Sequence, residues 1–139
     1  MMKYYCDTNF VIQYLIGENL EMFLKTKEVF AQVQTGKASI ILEQTVFTEI
    51  TFVLLSFYKI PKNKIAEVLS DLLAYKGIIC EDKDTLLLDL NIYSSHNLHI
   101  VDCLLVAKAE KSNITILSFD QKLLNIYNQR QILMGSNKQ

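Results

Sequence analysis

Four carboxylates, Asp7, Glu49, Asp102 and Asp120, each stand beside a strongly apolar run of this chain. Carboxylate oxygens are the donors that hard divalent cations take, and Mg²⁺ keeps several waters while using only a few of them. An acid next to apolar sequence is harmless at the surface, but inside it is unfavourable unless protonated, paired or bound to a cation. Four such acids in one small chain suggest a shared partner, most simply Mg²⁺ or Mn²⁺. Two ions about 3.5–4 Å apart would activate a water and stabilise the departing oxygen in a hydrolysis. The plainer reading is that Asp7, Asp102 and Asp120 are helix caps or first-turn acids, favoured by about 0.3–1 kcal/mol each through the helix dipole. Taken one at a time, the caps win; only the four together, in order, support a metal site.

Short apolar runs alternate with longer amphipathic ones, which predicts an α/β domain with a central, mostly parallel sheet of four or five short strands flanked by helices. Lys3–Cys6, Ala38–Leu42, Ile78–Cys80 and Ile114–Phe119 read as strands. Helices are expected over Phe10–Ile16, Leu20–Gln34, Glu43–Phe57, Lys62–Tyr75, Asp84–Tyr93, Ile100–Lys111 and from Asp120 through Tyr127. Gly17, Gly36 and Asn113 stand where helices would stop, and Pro61 where one would start. In the third helix Val46, Ile50, Val53, Leu54 and Phe57 form an apolar stripe with Glu49 on its border. Asp7 and Asp120 follow strands and Asp102 falls in a first turn. In a parallel α/β sheet the residues beyond strand C-termini gather at one edge, where sites form.

At 139 residues and half hydrophobic, the chain has the size of one domain with a substantial core. That domain is expected over residues 1–134, with a polar tail over 135–139. The net charge of −1 lacks the basic excess of a nonspecific polyanion binder. No run approaches the ~18 consecutive apolar residues of a spanning helix, and the start has no signal-like apolar core, so a cytoplasmic protein without membrane attachment is expected. Three cysteines without a metal-binding spacing, Cys6, Cys80 and Cys103, suit a reducing compartment. His96 and His99 lack further ligands at zinc spacing. Asp82, Asp84 and Asp89 read as helix-start signals or solvated face.

The four acids lie within four motifs. Tyr4-Tyr5-Cys6-Asp7-Thr8-Asn9-Phe10-Val11-Ile12 resembles the opening motif of PIN domains, and Thr45-Val46-Phe47-Thr48-Glu49-Ile50 resembles their acid-bearing helix. Asp102-Cys103-Leu104-Leu105-Val106-Ala107-Lys108-Ala109 is similar to the third motif, and Ile114-Thr115-Ile116-Leu117-Ser118-Phe119-Asp120 to the fourth. All four occur in the family's order, from Tyr4 to about Leu124. Departures are Asn113 in place of a glycine, Leu123 in place of an aromatic residue, and no proline ahead of Glu49. The resemblance implies a metal-dependent endoribonuclease that leaves 5′-phosphate ends, of the type found as the VapC toxin of a toxin–antitoxin pair. It implies Asp7, Glu49, Asp102 and Asp120 as the acidic cluster holding Mg²⁺ or Mn²⁺, with Thr8 and Ser118 in support. RNA, a cognate antitoxin and a second copy of the chain are the partners it implies. A PIN-like interaction module with little turnover is the alternative. A small-substrate phosphohydrolase ranks last, because Asn9 occupies the second position of the Asp-x-Asp arrangement such enzymes use.

Overall fold

The structure, a computed structural model, describes residues 2–137. It divides into two compact units, Met1–Lys83 and Asp84–Gln139. The first unit runs β1 (Met2–Tyr5), α1 (Thr8–Ile16), α2 (Leu20–Thr35), β2 (Ala38–Ile41), α3 (Gln44–Ser56), α4 (Lys62–Leu73) and β3 (Ile78–Ile79). The strands pair in parallel in the order β1-β2-β3, with Tyr4 opposite Ile40 and Ile40 opposite Ile78. Parallel neighbours need crossovers, and the helix pairs α1–α2 and α3–α4 supply them. This is the expected α/β class. β2 is the buried centre, with Ala38, Ser39 and Ile40 all inside, whereas β1 is an edge and leaves Met2 and Tyr5 exposed.

The two crossovers bury Val11, Ile12, Phe30 and Val33 from α1–α2, and Phe47, Ile50, Leu54, Ile65, Leu69 and Leu73 from α3–α4. The buried stripe of α3 is therefore rotated from the expected one: Phe47 and Thr51 are inside and Phe57 is exposed. Tyr14 of α1 stacks on Phe30, with ring centroids 4.1 Å apart, and shares a 2.7 Å hydrogen bond with the hydroxyl of Tyr75. Left-handed Gly17 and Gly36 end α1 and α2.

Gly77 leads into β3 with no room for a side chain: a Cβ there would lie 2.1 Å from the Ala38 carbonyl oxygen and 2.7 Å from that of Val33. Its own backbone is engaged on both sides, donating to Val33 O and accepting from Ile40 N, each at 2.8 Å. Backbone cannot move aside as a flexible side chain can. Gly77→Ala is expected to lower stability by about 1–3 kcal/mol, read as a lower urea midpoint with an unchanged slope. An unaltered midpoint would mean that this turn rearranges freely.

The second unit is helical, with α5 (Lys83–Ser95) leading in from the first unit's last residue, followed by α6 (Ile100–Ser112) and α7 (Gln121–Asn137). Asn113 ends α6 at φ 58° and ψ 41°, the left-handed stop its position predicts. α7 carries the chain to Asn137, and the rest of the expected tail, Lys138 and Gln139, lies outside the described residues.

Two expectations are corrected here. Three strands are found among the described residues, not four or five, because Ile114–Phe119 forms no strand. Its apolar–hydroxyl alternation suits a ladder, but a strand needs a neighbour and this segment pairs with none among the described residues; Leu117 is 94% exposed. Its far end is committed to a turn, with the Asp120 amide donating to Ser118 Oγ at 2.9 Å. The second correction concerns Asp89. It is not solvated face but a fully buried residue of α5.

Candidate functional site

Asp7 is the N-cap of α1, and its Oδ1 accepts the Phe10 amide at 2.9 Å. β1 ends two residues earlier and delivers this cap to the C-terminal edge of the sheet. α3 leaves the neighbouring β2 from the same edge, with Glu43 at its N-cap position but making no side-chain cap bond, and packs on α1. Glu49 stands in the second turn of α3 on its exposed face, opposite Phe47, Ile50 and Leu54. Asp7 and the start of α3 thus share one edge of this sheet, with Glu49 in the second turn of α3. Thr8, half-buried, is the first residue of α1.

The second unit repeats the capping chemistry. Asp102 lies half-buried in the first turn of α6, where helix amides and dipole favour a negative charge. Asp120 is exposed ahead of α7, and its Oδ1 accepts the amides of Lys122 at 3.0 Å and Leu123 at 3.2 Å. Ser118 supports Asp120 by holding its amide, which is a hydrogen bond to the backbone and not to the carboxylate. Each cap engages one carboxylate oxygen, Oδ1, in these helix-start bonds.

Three of the four acids are exposed and Asp102 is half-buried, so the burial cost that first suggested a cation is not what these positions impose. Among the described residues no three His, Cys, Asp or Glu side chains are grouped so as to hold a metal. The donor chemistry nevertheless fits a hard cation: the residues offer oxygen only, and Mg²⁺ needs one or two carboxylates when waters complete its shell. Cys6, next to Asp7, is a poor competitor. Burial first, and then the Asp7 charge, pushes its thiol up to about 11, so it carries a proton at neutral pH.

Sequence reasoning passed over Gln13. Its Nε2 donates to Asn9 Oδ1 at 3.3 Å, while its own Oε1 is buried without a partner among the described residues. The four-residue spacing from Asn9 is the signal that could have paired them. His99 caps α6 through its backbone only, with no side-chain hydrogen bond to the helix start.

No helix among the described residues is long and apolar enough to cross a membrane. Neither a curated protein nor a solved structure matches the chain. A family model does, that of the PIN domain, over residues 4–129. That span takes in the second half of β1, both crossovers, Asp7, Glu49, Asp102 and Asp120, and the first half of α7. PIN domains are generally nucleases that use divalent metal ions. The chain belongs to the PIN-domain family.

Proposed function

We propose that this chain is a metal-dependent endoribonuclease and the VapC-type toxin of a toxin–antitoxin pair, with residues 1–134 as its working domain. Asp7, Glu49, Asp102 and Asp120 are the residues that would hold Mg²⁺ or Mn²⁺. The observation carrying the reading is that one family match spans all four acids in motif order, over residues 4–129. When bound, the ion supplies charge stabilisation and a water acidified toward neutral pH.

The chain's own residues do the rest. Asp7 and Asp120 each cap a helix through Oδ1, and each would offer its second oxygen to a metal ion. Thr8, beside Asp7, orients water or a carboxylate by hydrogen bonding. Ser118 fixes the backbone of Asp120 and so the direction of its carboxylate. Exposed Leu20, Leu24, Phe52 and Phe57 support protein partners, taken here as the cognate antitoxin and a second copy of the chain. The same side chains favour the second reading, an interaction module of low turnover.

Chelation separates the two. Cleavage of a single-stranded RNA should stop in chelator and return when Mg²⁺ or Mn²⁺ is restored in excess. Binding of a protein partner that persists in chelator, with no cleavage under any metal, would favour the interaction module.

A further inference from the structure

Asp89 has no part in the proposed site, and it is the one aspartate or glutamate among the described residues that is wholly buried, at 0% exposure. Neither carboxylate oxygen has a hydrogen-bond partner among the described residues. It lies on the inner stripe of α5 with Thr85, Leu86, Ile92 and Tyr93. A carboxylate in such a place is far more costly than a carboxylic acid. Two cations of the same unit are engaged elsewhere: Lys111 faces Asp84 at 3.9 Å, and Arg130 pairs with Glu110.

We propose that Asp89 makes the helical region α5–α7 a proton-dependent module, held together with this carboxyl neutral and progressively weakened as the medium passes from acid to neutral. Burial alone pushes the group from 3.8 up to about 8, with no contribution from a charged group of α6 or α7. Tyr93, one turn further along α5, is its titratable neighbour. Burial first, then Cys103 of α6 and Asp89 itself, push that hydroxyl up to about 12, so it stays neutral throughout.

The direction follows from where the proton resides. Below about pH 4 the folded and unfolded chains both hold it, and the stabilisation is complete. Between about pH 4 and pH 8 the unfolded chain has lost it while the folded chain keeps it, so each pH unit lowers the folding constant about tenfold. Above about pH 8 both have lost it and the decline levels off. The effect reaches α6, the helix that carries Asp102. Acidification would therefore tighten the helices around that acid, and mild alkali would loosen them. The inference concerns stability and stands whether or not the chain cleaves RNA.

Equilibrium urea unfolding of the full chain from pH 5 to pH 9 tests it, with Asp89→Asn and Asp89→Leu alongside. The ratio of wild-type to Asp89→Asn folding constants should fall about a thousandfold between pH 5 and pH 8 and then flatten. Asp89→Leu supplies the same pH-independent reference if the asparagine variant does not fold. A ratio flat across that range would overturn the proposal, because the carboxyl would then ionise alike in both states. Wild-type unfolding near pH 6.5 should also release a proton from this group, a readout that needs no variant; no release would equally overturn it.

Discussion

Asp7→Asn is expected to reduce RNA cleavage by about a hundredfold or more while leaving folding stability within about 0.5 kcal/mol. The cap role of Asp7 and the metal-ligand role proposed for it make the substitution informative. As a cap it needs only a side-chain oxygen for the Phe10 amide, now 2.9 Å away, and asparagine caps as well as aspartate does. As a metal ligand it needs its negative charge, which asparagine lacks. Asp7→Ala removes both and should cost about 1 kcal/mol of stability in addition. Thermal or urea unfolding measured beside a cleavage assay separates the cases. Full cleavage by the asparagine variant would reduce Asp7 to a helix cap. Asp120 offers the same contrast, since its Oδ1 takes two amides of α7.

The largest stability effect is expected at Glu110 and Arg130, which tie α6 to α7. The guanidinium reaches both carboxylate oxygens, through Nε to Oε1 and through Nη2 to Oε2 at 3.2 Å. The Glu110 side chain is only 5% exposed and that of Arg130 23%. Arg130→Ala strands a charge in a nearly closed place, and breaking such a pair costs about 3–5 kcal/mol. The lower end applies here because Arg130 retains some water. Replacing both residues by leucine should recover most of the loss, since desolvation then disappears with the charges. Urea unfolding of Glu110→Leu, Arg130→Leu and the double-leucine variant measures the coupling. Additive losses would mean that the pair contributes no more than a surface contact. The pair also bears on two of the proposed ligands, because α6 carries Asp102 and Asp120 caps α7.

Local chemistry explains what the sequence made legible. Gly17, Gly36 and Asn113 ended helices where a left-handed residue was needed, and the apolar runs at Ala38–Ile41 and Ile78–Ile79 became parallel strands. The family was readable for a different reason: its motifs keep order along the chain, and order survives without any knowledge of contacts. What failed depended on neighbours. Ile114–Phe119 has the alternation of a strand, yet a strand exists only against a partner, and pattern alone cannot supply one. Asp89 looked like solvated face because an aspartate usually is, and nothing in Leu86-Leu87-Leu88-Asp89-Leu90 says which side of α5 turns inward. The apolar surroundings of Asp7, Glu49 and Asp120 misled in the opposite sense. Flanking hydrophobes bury themselves while the acid between them stays at the surface. The phase of α3 slipped likewise, since Val46 and Phe47 are both apolar and only packing chooses between them.

Cleavage of a mixed cellular RNA pool by the purified, partner-free chain tests the nuclease claim most directly. It should be run with Mg²⁺, with Mn²⁺ and with chelator, beside Asp102→Asn prepared identically and shown to be folded. Discrete fragments bearing 5′-phosphate ends, present with metal and absent from both the chelated and the Asp102→Asn samples, are the predicted result. Equal cleavage by the variant, or an intact pool under both metals with a folded wild-type chain, would contradict it.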